Sequence, residues 1–286
     1  MEPDPGGDIT SSAIFKTTVL TVAFTSFYFF RTQKSTTVFK PVLVKTDTAV
    51  IVQKKELLPS KKKKKKKTIY LTFDDGPNKG TRHVMQIMKA EQVPVTLFVI
   101  GEHVYGSHLQ ASMYDSVATC SLFEIANHSY THAFENKYNK FYQLPDSALK
   151  DFERCADSLH LTSNIIRTPG RNIWRTDSIS STDLKNSIAA ADTFFNKGFI
   201  AMGWDVEWHF NKDQRPVQSA EEMLAEIDSA FAKNKTKTID NLVLLAHDQV
   251  YIGPDDSASL HNFIIQLKKK DEYNFETVSK YPGVNP

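Results

Sequence analysis

An α/β domain built from repeated strand–helix units is the fold class this sequence predicts, and three observations carry that reading. From Thr68 onward, apolar runs alternate with helical patterns, seven candidate strands and six candidate helices in all. Several runs, such as residues 95–100 (Thr96 apart) and 242–245, are apolar throughout, as expected of parallel strands covered on both faces. Polar residues repeatedly follow the carboxyl ends of these runs, the edge where βα folds place their chemistry. The alternation fits either an open sheet or a barrel.

In chain order, the candidate strands are residues 68–73, 93–100, 121–126, 165–167, 199–203, 242–246 and 274–278. Helical patterns cover residues 81–91, 104–117, 146–160, 182–196, 220–233 and 257–270. The first strand ends on Asp74-Asp75-Gly76-Pro77, two carboxylates and a turn. The third is followed by Asn127 and His128, the fourth ends on Arg167, the fifth precedes Asp205 and Glu207, and the sixth runs into His247-Asp248.

The overall charge of +2 hides an asymmetry. Residues 31–67 carry thirteen basic side chains against two acidic ones, a net of +11, and residues 1–30 carry −2. The remainder, residues 68–286, is therefore −7. A basic stalk precedes a mildly acidic domain. Cys120 and Cys155 form no Cys-x-x-Cys pair, which excludes a thiolate metal site and reads as small apolar residues.

Residues 17–30 contain no charge and are rich in Val, Leu and Phe, and no Ala-x-Ala-like cleavage site follows Phe30. An uncleaved membrane anchor is the expectation, with Lys16 able to snorkel. The positive-inside rule would keep the basic side cytoplasmic, but long domains translocate regardless of charge. Lys61 to Lys67 reads as a solvated linker, and without interleaved aromatics it does not point to nucleic acid.

The residues then suggest a chemistry. Two adjacent carboxylates resist sharing a site unless a cation or proton separates them. His128 and His132 are four apart, a spacing that on one helical turn suits a single metal. With a carboxylate from another strand end they would form a two-His, one-carboxylate face, suited to a hydrolytic zinc or a ferrous oxygenase.

The strings T-F-D-D-G-P, H-S-Y-T-H, R-T-P-G, W-D-V-E-W and L-L-A-H-D, in this order, resemble the five motifs of the polysaccharide deacetylase family, the NodB-homology group or carbohydrate esterase family 4. The resemblance spans about residues 68–278. It implies a distorted (β/α) barrel with fewer than eight repeats, matching about seven parallel strands. It also implies a divalent metal, commonly zinc, and removal of acetyl groups from N-acetylated polysaccharide such as peptidoglycan or a chitin-like oligomer.

Carried over by position, Asp75, His128 and His132 would bind the metal and Asp74 would be the general base activating the attacking water. Arg167 would orient and charge that base, since a neighbouring guanidinium favours a carboxylate's ionised form. His247 would be the acid protonating the leaving amine, as an imidazole titrates in the right range. A backbone N–H near Gly170 would complete an oxyanion site.

Departures from the motifs matter. Gly170 stands where many relatives carry an aromatic after Pro169, so Trp174 becomes the candidate for that wall of the sugar groove. The fourth motif is one residue shorter, making Glu207 the expected partner of His247, with Asp205 second. Trp208 is a further sugar-platform candidate, and Leu245 with Ala246 would line the acetyl pocket. The leading expectation is a membrane-anchored, extracytoplasmic N-deacetylase. An O-acetyl esterase would use the same site. A carbohydrate-binding relative would need neither Asp74 nor His247, and a ferrous oxygenase would need no His247.

Overall fold

The structure is a computed structural model describing residues 65–286. The proposed anchor at residues 17–30 and most of the Lys61 to Lys67 run lie outside the described residues. No helix among those described is long and apolar enough to cross a membrane.

Strand β1 (Lys67–Gly76) is the centre of the fold. It lies between β2 (Val95–Val99) and β9 (Asn241–His247), parallel to both. The sheet continues past β2 through β3 (Phe123–Asn127), β4 (Ile165–Ile166) and β7 (Ile200–Ala201), still parallel. It then turns antiparallel at β5 (Ile173–Arg175) and β6 (Ser180–Thr182). Beyond β9 lies β8 (Val206–Glu207). A last strand, β10 (Tyr273–Phe275), pairs with residues 67–69 of β1, while β2 pairs with residues 72–76. No pairing joins β6 to β8 among the described residues, so the curled sheet is part of a barrel rather than a closed one.

All seven expected strands are present, but the sheet is mixed and has ten strands instead of about seven parallel ones. The three additions, β5, β6 and β8, are two or three residues long, too short for hydrophobic periodicity to register. The expected helix over residues 104–117 divides into α2 (Gly101–Val104) and α3 (His108–Ala118), because Ser107 caps a new start by accepting from the Gln110 N–H.

Alternation along β1 sorts its side chains onto two faces. Ile69, Leu71 and Phe73 join the main core with Val84 and Met88 of α1 (Lys79–Glu91), Ile227 of α8 (Ala220–Ala232) and Phe263 of α9 (Pro254–Lys269). Tyr70 belongs to a second cluster with Phe98, Trp174, Met202 and Tyr281. Thr72 and Asp74, on the Tyr70 face, are buried polar residues. Apolar packing thus continues along one face to the strand end, and on the other gives way to polar groups as the site is approached. A third cluster packs the aromatic edges of Phe141, Phe152 and Phe194 between α5 (Tyr138–Gln143), α6 (Pro145–Leu159) and α7 (Ile188–Asn196).

One junction holds the two halves of the sheet's working edge together. After β9, the 3₁₀ turn Asp248–Ile252 presses against the start of α1. Asp248 is fully buried and accepts hydrogen bonds from Asn78 Nδ2 and Thr81 Oγ1, both in the α1 cap. The approach demands glycine twice. A Cβ on Gly80 would lie 1.8 Å from the Asp248 carbonyl oxygen, and one on Gly76 would lie 2.5 Å from its carboxylate.

Candidate active site

The carboxyl ends of β1, β3, β4 and β9 gather the catalytic candidates around a cavity of about 230 Å³. Asp74, Asp75, His128, His132, Gly170, Glu207, Leu245 and His247 all line it, together with Tyr138, Thr168, Trp204 and Phe210.

Asp74 and Asp75 take opposite roles because the backbone turns between them. Asp74 keeps strand register, opposite His247 on β9, and is almost completely buried. Asp75 has φ 75°, which swings its carboxylate out of the strand pattern. Its Oδ1 lies 3.4 Å from His128 Nε2 and 3.2 Å from His132 Nε2, and Oδ2 accepts from Gln249 Nε2 at 2.8 Å.

Asp74 Oδ1 accepts from Arg167 Nη1 at 2.9 Å. Arg167 is wholly buried, yet its donors are provided for. Nη1 also reaches Thr72 Oγ1, Nε donates to the Met202 carbonyl and Nη2 to the Gly203 carbonyl. Its guanidinium lies over the Phe98 ring at 4.1 Å, and burial pulls its pKa down although Asp74 opposes the shift. Two short strand ends, β4 and β7, thus build a fixed cradle for one cation.

The two histidines converge, but not by α-helical spacing. His128 follows β3, and its Nδ1 bonds the Arg167 carbonyl at 2.9 Å. His132 opens α4 (His132–Asn136), in which every residue has positive φ, from 49° to 65°. This single turn is left-handed, an arrangement that costs L-residues roughly 1–2 kcal/mol each. The expectation that both histidines share one helical turn is therefore corrected, since His128 follows β3 and only His132 lies in α4. The left-handed turn brings Asn136 Oδ1 to 2.6 Å from His132 Nδ1, and the same oxygen accepts from Tyr138 Oη at 2.9 Å. With each Nδ1 bonded to an oxygen acceptor, both Nε2 atoms are left facing Asp75 as potential ligands.

Asp75, His128 and His132 offer three donor atoms within 4.8 Å of one another. Asp75 Oδ1 is buried and has no hydrogen-bond partner among the described residues, so it awaits a cation or proton. Burial alone would raise the Asp75 carboxyl, but the neighbouring imidazoles of His128 and His132 outweigh it and hold it well below the usual carboxylate range. Burial likewise opposes protonation of His132, and Asp75 overcomes it and raises the imidazole. This donor set fits a divalent ion of the zinc type.

Packing places four of the expected supporting residues elsewhere. Glu207 reaches the cavity, but its Oε1 pairs with His209 Nδ1 at 3.3 Å, while His247 Nδ1 is buried with no hydrogen-bond partner. Phe210 holds the His247 ring instead, edge to face at 4.8 Å. Asp205 accepts from the backbone N–H groups of Lys237 and Val243, and burial pushes its carboxyl up to about 6. It is a strand clip.

Trp174 is fully buried against Tyr281 and Gly203, away from the cavity, and Trp208 packs on Tyr251 and Phe263. Both are core residues. Trp204 and Tyr138 are the aromatics that line the site, and Phe210 adds a third ring. Pro169 is buried behind it, its carbonyl accepting from Tyr142 Oη. Gly170 has φ 63°, and a Cβ there would meet the Tyr138 ring at 2.9 Å, so main chain forms this stretch of wall.

The buried Asp248 gives the fold a pH dependence. Burial first, then the charges of Asp75 and Asp74, push its carboxyl up to about 7, against the pull of Thr81 and Asn78. The folded state therefore holds this proton more tightly than the unfolded chain, where Asp titrates near pH ~4. Stability contributed by the protonated group is greatest at acid pH and is lost as pH rises from about 4 to about 7. In metal-stripped protein, chemical denaturation across that window should show a wild-type decline, on the order of 2–4 kcal/mol, that Asp248→Asn lacks. Parallel profiles for the two proteins would assign the slope to other groups.

A family model for polysaccharide deacetylases matches residues 61–176. Chitin disaccharide deacetylase of Vibrio alginolyticus is 24% identical over 306 aligned positions, covering 75% of this chain and 71% of the relative. The catalytic domain of a peptidoglycan N-acetylglucosamine deacetylase from Eubacterium rectale shares the fold, with a TM-score of 0.54 and 23% identity over 77% of this chain and 94% of that one. A Streptococcus mutans CE4 esterase gives a TM-score of 0.55 and 22% identity over 74% and 86%. The chain is thus similar to polysaccharide deacetylases in sequence and shares their fold.

Proposed function

We propose that the protein is a metal-dependent hydrolase that removes acetyl groups from the amino sugars of an N-acetylated polysaccharide. The observation that carries this reading is the buried, unpartnered Asp75 Oδ1 facing two imidazole Nε2 atoms, beside a second carboxylate held by a buried arginine. A divalent ion held by Asp75, His128 and His132, zinc by the donor set, would supply Lewis-acid polarisation of the acetyl carbonyl and a lowered water pKa.

The chain's own residues supply the proton transfers. Asp74, fixed by Arg167, accepts the proton of the attacking water. His247, in register opposite Asp74, delivers a proton to the departing amine. Trp204, Tyr138 and Phe210 exclude water around the acetyl group, with Leu245 at the wall. The main chain at Gly170 supports the developing oxyanion. The uncharged stretch at residues 17–30 supports anchoring to a membrane with the domain presented outside the cytoplasm, where such polymers lie.

Acetate release should be measured on an N-acetylglucosamine oligomer and on an O-acetylated polysaccharide, with and without chelator. The full chain should bind about one divalent ion and lose activity on chelation, and His128→Ala should lose both ion and activity. Full turnover by metal-free protein would sink the reading. Release from the ester alone would assign the site to O-deacetylation.

A further inference from the structure

Beside the metal cavity, on the far side of the Tyr138 ring, lies a second cleft of about 450 Å³. It is lined by Asn136, Lys137, Tyr138, Asn139, Lys140 and Arg171. Three cations face it and no carboxylate lines it, on a domain whose net charge is −7. Tyr138 belongs to both cavities, and Arg171 directly follows Gly170 of the metal-site wall. The cleft therefore opens where a saccharide unit next to the reacting one would sit.

The cations are not spent on the fold. Arg171 has no acidic partner among the described residues; Nη1 donates to the adjacent Gly170 carbonyl, and Nε is buried without an acceptor. Lys140 makes no ion pair there, and Lys137 reaches only Glu135 at 3.3 Å, both groups being exposed. Such an exposed pair is worth little and can be exchanged for a ligand anion. An adjoining groove of about 740 Å³, which shares Asn136 and Tyr138 with the cleft, carries Glu102 and Glu135 beside Asp75 and suits an anion less.

We propose that this basic cleft is a subsite for an acidic sugar, one bearing a carboxylate or phosphate next to the N-acetylated unit being cleaved. The inference rests on the deacetylase reading for the position of the reacting sugar. Recognition would come from charge-assisted hydrogen bonds and from long-range attraction focused by the cleft.

The test is equilibrium binding to Asp74→Asn protein, which reads affinity without turnover. Three oligosaccharides of equal length and N-acetylation are compared: neutral, carboxylate-bearing and phosphate-bearing. A charged oligomer should bind about tenfold more tightly than the neutral one at low salt, with the advantage shrinking as salt is raised. The double substitution Lys137→Glu with Lys140→Glu, both exposed positions, should abolish that preference ratio. The charged oligomer preferred, carboxylate or phosphate, identifies the substituent. Equal affinities for all three, or a preference unmoved by the double substitution, would overturn the subsite. Wild-type protein that releases acetate from none of them would instead overturn the deacetylase reading alone.

Discussion

Asp74→Asn is expected to lower kcat by about two to four orders of magnitude while the bound metal is retained. Removing a positioned general base costs about that much. Asparagine keeps the shape and the contact with Arg167 Nη1, but it cannot accept the water's proton. Asp75→Asn should behave differently. Its Oδ1 is the atom facing both imidazoles, so the substitution should weaken metal affinity first and activity as a consequence. Metal titration of both variants beside single-turnover acetate release separates the two. Equal metal loss would mean that the adjacent carboxylates do not divide the roles as their geometry indicates.

Arg167→Met should be the most destabilising single change in the site, by about 3–5 kcal/mol. It strips the partner from a buried carboxylate, and breaking a buried ion pair from one side leaves an uncompensated charge. It also removes the side-chain donor that serves the carbonyls of Met202 and Gly203, while Thr72 keeps its bond to the Leu244 carbonyl. Lysine would not rescue it, because a single ammonium cannot reproduce the planar fork that reaches four acceptors. Denaturant midpoints of wild type, Arg167→Met and the double variant with Asp74→Leu check this. The double variant, which removes both charges, should recover part of the loss, and full additivity would argue against coupling.

How far the sequence speaks for the molecule depends on which physics each residue obeys. The long strands were legible because β2 and β9 are largely apolar on both faces and β1 opens on an apolar run, patterns that need no tertiary information. The candidate metal ligands were legible because several chemically unusual side chains fall at strand ends in a fixed order. What was missed depends on three-dimensional crowding. Trp174 was placed in the groove by its distance from Pro169, yet Gly203 leaves room for the indole in the core and the chain buries it. Glu207 was assigned to His247 by motif length, whereas His209, two residues on, takes its carboxylate. Asn136 gave one usable signal: asparagine tolerates a left-handed backbone, and it stands four residues after a candidate ligand. Tyr138 and Phe210 gave none, because only the fold brings these two rings, one at the start of α5, to the cavity wall.

The junction at Asp248 has a consequence for how such an enzyme can change. Asp74 and His247 sit on different strands, but the segments that follow them are fastened together by Asp248, Asn78 and Thr81 across a gap that admits only glycine at positions 76 and 80. These five positions constitute one part that must be inherited or replaced as a set. The residues shaping the neighbouring cleft, from Asn136 to Lys140 and at Arg171, are a separate set. Variation can therefore accumulate at the rim and redirect the protein to a new glycan while the distance between proton donor and acceptor stays constant. A library confined to residues 137–140 and 171 would explore specificity, whereas one that included position 76 or 80 would mostly yield chains unable to bring the two strand ends together.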